Sequence, residues 1–111
     1  MKKLFIVFIL MFIVSFCTNA QTWTLQTSPL SPNQDLNSAW VVDNNVAWMC
    51  GPSGIVIRTT NAGTTWALAN TGLTGNDFYT ISAIDANICV VGAGDGGLWR
   101  TTNGGTSWTF I

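Results

Sequence analysis

Thr59-Thr60-Asn61-Ala62-Gly63-Thr64-Thr65-Trp66 returns as Thr101-Thr102-Asn103-Gly104-Gly105-Thr106-Ser107-Trp108, each fixed position 42 residues further on. The shared pattern is turn chemistry. Asn61 and Asn103 are expected to bond backbone N–H groups two residues on, and Gly63 and Gly105 to take positive φ without a Cβ clash. Thr59 and Thr101 end a β-branched run, while Trp66 and Trp108 leave the turn as apolar anchors of the next strand. These eight residues are read as a structural turn motif, used twice. A unit of about 40 to 50 residues is too short to bury both its faces alone and is expected to stack on its neighbours.

Gly54-Ile55-Val56-Ile57-Arg58 and Gly97-Leu98-Trp99-Arg100 run straight into the two motifs. The motif resembles the Asp-box of BNR-repeat β-propellers, Ser/Thr-x-Asp-x-Gly-x-Thr-Trp, with Asn in place of Asp in both copies. Asn keeps the acceptor oxygen and drops the charge. With its upstream strand the pattern is similar to the repeats of the photosystem II assembly and stability factor family and its exported bacterial relatives, over essentially all of the chain after the leader. The resemblance implies an all-β partial propeller and an interaction role. It does not imply photosynthesis, because the same blade serves sortilin-like receptors, sialidases and xyloglucan-cleaving hydrolases.

Four short strands per unit follow from the turn signals. In repeat one, about 36–69, they are Leu36 to Val42, Val46 to Cys50, Ile55 to Arg58 and Trp66 to Ala69. In repeat two, about 78–111, they are Phe78 to Ile84, Ile88 to Val91, Gly97 to Arg100 and Ser107 to Ile111. Trp23 aligns with Trp66 and Leu25 with Leu68, so residues 21–25 read as the last strand of a preceding blade. Pro29 and Pro32 make the following crossover stiff and exclude a central strand. Propellers close with about four to eight blades, so the two outer faces are expected to be covered by missing blades of a longer chain or by self-association.

Residues 1–20 read as a secretory signal peptide: Lys2 and Lys3, an apolar run from Leu4 to Val14, then small and polar residues ending at Ala20. Cleavage is expected between Ala20 and Gln21, which places the product outside the cell, in the periplasm or at the cell surface. The run is shorter than the roughly 18 residues of a span, so no stable membrane insertion is expected once the leader is removed. Phe16 is too bulky for a lipidation signal at Cys17. Losing the two lysines takes the formal charge from −1 to −3, with Arg58 and Arg100 the only cations left against five Asp. No basic patch exists, which excludes nucleic acid as a partner. The two arginines hold matching repeat positions and are read as bonding carbonyls or an Asp of a neighbouring blade.

Aligning Gly51 with Gly92 places Cys50 and Cys89 two positions apart in register. Period-two alternation then sends them to the same side of their own sheets, so that only one of them faces the other blade, and they are read as unpaired buried hydrophobes. Gly92-Ala93-Gly94-Asp95-Gly96-Gly97 matches a dinucleotide fingerprint, but a strand follows it where a helix is needed to hold a pyrophosphate. Asp43 and Asp85, like Asp35 and Asp77, repeat at equivalent turns, which points to turn chemistry.

The chain contains no His, and after the leader no Glu or Lys, so no general base, metal cluster or nucleophilic triad can be assembled. No cofactor or metal is expected. Trp40 (Ser82 in repeat two) and Tyr79 (Asn37 in repeat one) are unmatched aromatics on or near the innermost strands. They are the candidate ligand contacts, with a core role as the other reading. The function expected is an exported, non-catalytic repeat domain for protein or glycan interaction. The alternative is an N-terminal piece of an extracellular glycoside hydrolase or sialidase-like propeller, whose acidic residues would lie further along the chain.

Overall fold

The computed structural model describes residues 22–111; the expected signal peptide, the expected cleavage site and Cys17 lie outside them. Among the described residues there is no helix, and eight strands form two separate four-stranded antiparallel sheets. Sheet one runs β1 (Ser38–Val41), β2 (Ala47–Cys50), β3 (Val56–Thr59) and β4 (Ala67–Leu68). Sheet two repeats the order with β5 (Phe78–Ala83), β6 (Cys89–Ala93), β7 (Leu98–Thr101) and β8 (Thr109–Phe110). Each strand pairs with the next in sequence, the up-and-down order of a propeller blade.

The register shows that the 42-residue spacing holds through the whole unit. Ala47 pairs with Thr59 and Cys89 with Thr101, so Cys89 is the counterpart of Ala47, and Cys50 that of Gly92. The cysteine alignment is thereby corrected. Cys50 and Cys89 are three positions apart in register, an odd number, so their side chains leave opposite faces of their own sheets. Since blade two stacks on one face of blade one, opposite faces are the ones that meet. Both thiols lie in one buried cluster with Trp48 and Val56 of blade one, Phe78, Ile81, Ala83 and Val91 of blade two, and Ala69 and Leu73 of the crossover. Both cysteines are free, in agreement with the unpaired reading. Burial pushes the Cys50 thiol up to about 11 and that of Cys89 to about 12, the latter also raised by its proximity to Cys50.

Two further expectations change in detail. Trp66 and Trp108, read as apolar anchors, are half-buried and polar as well, each indole donating its N–H to a partner outside its own turn. Residues 22–28 form no strand, and Trp23 and Leu25 stand 97% and 102% exposed. A lone fourth strand without its three partners has no ladder to join. Gln26 ties this segment to blade one, its Oε1 accepting a 2.9 Å bond from the Trp66 indole.

Candidate functional site

The box turns are built around a threonine hydroxyl. Thr59 Oγ1 accepts from the Gly63 N–H at 2.9 Å and the Asn61 N–H at 3.3 Å, and donates to Asn61 Oδ1 at 3.0 Å. Thr101 makes the same three bonds to Gly105, Asn103 and Asn103 Oδ1 at 3.0, 3.3 and 3.0 Å. The asparagine side chains reach four residues on, not two: Asn61 Oδ1 accepts from Thr65 N–H, and Asn103 Oδ1 from Ser107 N–H. Gly63 and Gly105 take φ of 80° and 85°. A Cβ at Gly105 would also collide with the Ala69 carbonyl of blade one, so glycine there serves both the turn and the blade contact.

Those turns also carry contacts between blades. The Trp108 indole donates to the Ala69 carbonyl at 2.9 Å. Its counterpart Trp66 finds the Gln26 side chain in the equivalent place. From the other direction, Arg58 crosses to the Ala86 carbonyl and lies over the Trp48 ring, 5.2 Å from its centroid. The Trp48 indole donates to the Asp85 carbonyl at 3.0 Å. Arg58 is thus a carbonyl partner of the neighbouring blade, as its repeat position indicated, whereas the Trp48 bond left no signal in the sequence beyond a tryptophan on a strand.

The receiving turn is stiff. Asp85 Oδ1 accepts from Asn87 and Ile88 N–H at 2.7 and 2.8 Å, and these bonds, that to Asn87 foremost, hold its carboxyl below the usual range. Asp43 makes the same pair of bonds to Asn45 and Val46 at 2.7 and 2.8 Å. At the crossover, Ser53 N–H donates to Asp77 Oδ1 at 2.9 Å, Gly54 N–H to the Asn76 carbonyl at 2.6 Å, and the Asn37 amide to the Phe78 carbonyl at 2.8 Å.

Of the two candidate ligand contacts, Trp40 on β1 is 43% exposed and Tyr79 on β5 is 59% exposed. Tyr79 sits at the irregularity between Phe78 and Thr80, its ring packed against Gly94. It lines an open cleft of about 510 Å³ with Asn76, Asp77, Gly94 and Asp95. Trp40 is not among the residues lining that cleft. Groups of three or more potential metal ligands do not occur among the described residues, and no helix among them is long and apolar enough to cross a membrane.

No protein-family model matches the chain, and no characterised protein matches it in sequence. Among solved structures it is similar to one described as YCF48 bound to D1 peptide, with a TM-score of 0.57 at 18% identity. The likeness covers 78% of this chain and 31% of that one, so the chain spans less than a third of its structural neighbour's length. At that identity the likeness speaks to fold alone, and together with the two stacked sheets it identifies an all-β, partial β-propeller of two blades.

Proposed function

We propose that this chain is an exported, non-catalytic propeller domain that binds a protein segment, in the manner of the photosystem II assembly factor-like repeats it resembles. The observation that carries the reading is the exposure of Trp40 and Tyr79 on the innermost strands of the two blades. The box residues, by contrast, are consumed in structural bonds. Large aromatics held open on a rigid sheet supply contact area at small entropic cost. The description of the solved neighbour as bound to a peptide adds support from outside the chain.

Peptide and glycan arrays probed with the purified chain test the reading. Peptides are expected to bind, with affinity reduced at least about tenfold in Trp40→Ala or Tyr79→Ala, the size of a lost hot-spot contact. Binding confined to glycans, or peptide binding indifferent to both substitutions, would overturn it. Export is tested separately by intact mass, which is expected to begin at Gln21; a retained leader or a lipid on Cys17 would contradict it.

A further inference from the structure

Asn103 is the one asparagine of the chain that a glycine follows. A side-chain amide just before a glycine nitrogen is an arrangement in which a chain deamidates itself, because no Cβ on the following residue hinders attack on the amide carbon. In box one the corresponding pair is Asn61-Ala62. The two turns are otherwise tied by the same side-chain bonds, so the boxes differ at the attacking residue.

The reason for glycine at 104 lies in blade one. A Cβ there would fall on the guanidinium of Arg58, which crosses from β3 to the Ala86 carbonyl. Gly104 is accordingly buried at a φ of 71°, while Ala62 is exposed at 57°. The arginine that demands an unhindered nitrogen also closes it off. Gly104 N–H donates to the Asn87 carbonyl at 3.0 Å, one residue beyond the carbonyl that Arg58 holds. The Asn103 amide is occupied elsewhere: Oδ1 accepts from the Thr101 hydroxyl and the Ser107 N–H, each at 3.0 Å, and Nδ2 donates to Ser107 Oγ at 2.9 Å. While these bonds stand, nitrogen and amide carbon do not meet.

We propose that Asn103 is a self-modification site latched by Arg58, converted in molecules whose box two has come away from blade one. On opening, Gly104 N bonds Asn103 Cγ, the Cγ–Nδ2 bond breaks, and the amide leaves as ammonia with the proton that Gly104 N gave up. Water then opens the cyclic imide. Cleavage of the new Cγ–N bond gives aspartate; cleavage of the backbone C–N bond gives isoaspartate. Aspartate fits the box, since Oδ1 keeps both its donors and the Ser107 hydroxyl turns to donate. Isoaspartate adds a methylene to the main chain between residues 103 and 104, which draws Gly104 off the Asn87 carbonyl and out from under Arg58. Opening is thereby recorded covalently, and a chain carrying isoaspartate does not latch again.

Ageing of the purified chain at mildly alkaline pH provides the test, with peptide mapping for the amide-to-acid mass gain and enzymatic methylation for isoaspartate. In urea Asn103 is expected to convert faster than Asn61, and Ala62→Gly to bring Asn61 level with it. Folded, Asn103 is expected to convert at least about a hundredfold more slowly than in urea, because only the open fraction reacts. Arg58→Ala is expected to raise the folded rate at least about tenfold, the weight of a charge-assisted bond. Leu73→Ala empties a buried site whose carbonyl lies against Gly54, at the other end of β3 from the latch. It is expected to lower the urea midpoint at least as far and to raise the rate less. Arg58→Met and Leu73→Val are the milder pair if either alanine variant fails to fold. An Asn103 that stays intact in urea, one that converts as fast folded as unfolded, or rates that follow the urea midpoint whichever residue is changed would overturn the proposal.

Discussion

Blade one and blade two share a register and a turn, yet equivalent residues live in different surroundings, because among the described residues blade one is followed by a blade and blade two is not. Trp48 is fully buried and bonded to the Asp85 carbonyl, while Val90 at the same position of β6 is half-buried. Arg58 spans to Ala86, while Arg100 is exposed. Secondary structure in this chain is thus set within each repeat, and most of the packing energy is set between repeats, as in other stacked arrays.

The largest expected contrast follows from that difference. Trp48→Ala removes a fully buried indole and is expected to cost about 3 to 5 kcal/mol, whereas Val90→Ala is expected to cost about 1 kcal/mol; urea titration of the two variants measures both. Equal costs would mean that the blades do not share the interface described. Arg58→Ala comes next, at about 2 kcal/mol for a charge-assisted bond to a part-buried carbonyl, against less than about 0.5 kcal/mol for Arg100→Ala.

Substitution inside the boxes sharpens the comparison from the other side, since here the blades should agree. Thr59→Val and Thr101→Val keep the shape and remove the hydroxyl that Gly63 and Gly105 donate to. Each is expected to cost about 1 to 2 kcal/mol, and the two values should lie within about 0.5 kcal/mol of each other.

The period, the strand order and the positive-φ glycines were legible in the sequence because they depend on residues close together along the chain. What was hidden depends on direction. Aligning Gly51 with Gly92 shifted β6 by a single residue against β2, and one residue in a strand exchanges the two faces. That slip alone separated Cys50 from Cys89, which in fact share the core between the blades. The repeated ladder pairs Ala47 with Thr59 and Cys89 with Thr101, and counting back from the box threonines would have found it. The threonine hydroxyls were missed as acceptors for a different reason: a residue that ends a strand and also caps the following turn looks, in sequence, like a strand residue. The exposure of Trp40 and Tyr79 was legible only as two aromatics without counterparts, since sequence does not say which face has a neighbour.

An effect that is absent near neutral pH lies in the pH dependence of stability, and it too contrasts core with turn. The thiols of Cys50 and Cys89 titrate near 9.0 when unfolded and near about 11 and about 12 when folded. Above pH 9 the unfolded chain therefore loses these protons first, and stability is expected to fall as pH rises from there toward 12. Asp85 is shifted the other way, so its contribution is present at neutral pH and lost as pH falls below 3.8 and through its lowered folded value. Urea midpoints across pH 2 to 11, compared with those of a Cys50→Ala/Cys89→Ala variant, are expected to show the alkaline decline shrink and the acid decline remain.

Amide hydrogen exchange at Gly63 and Gly105 tests most directly the claim that one turn, built twice, anchors two equivalent blades. Both N–H groups are buried and donate to a threonine hydroxyl, at 2.9 and 3.0 Å. Both are expected to exchange at least about a hundredfold more slowly than in the unfolded chain, with protection factors within about tenfold of each other. Free exchange at either glycine, with the other protected, would contradict the equivalence of the two blades.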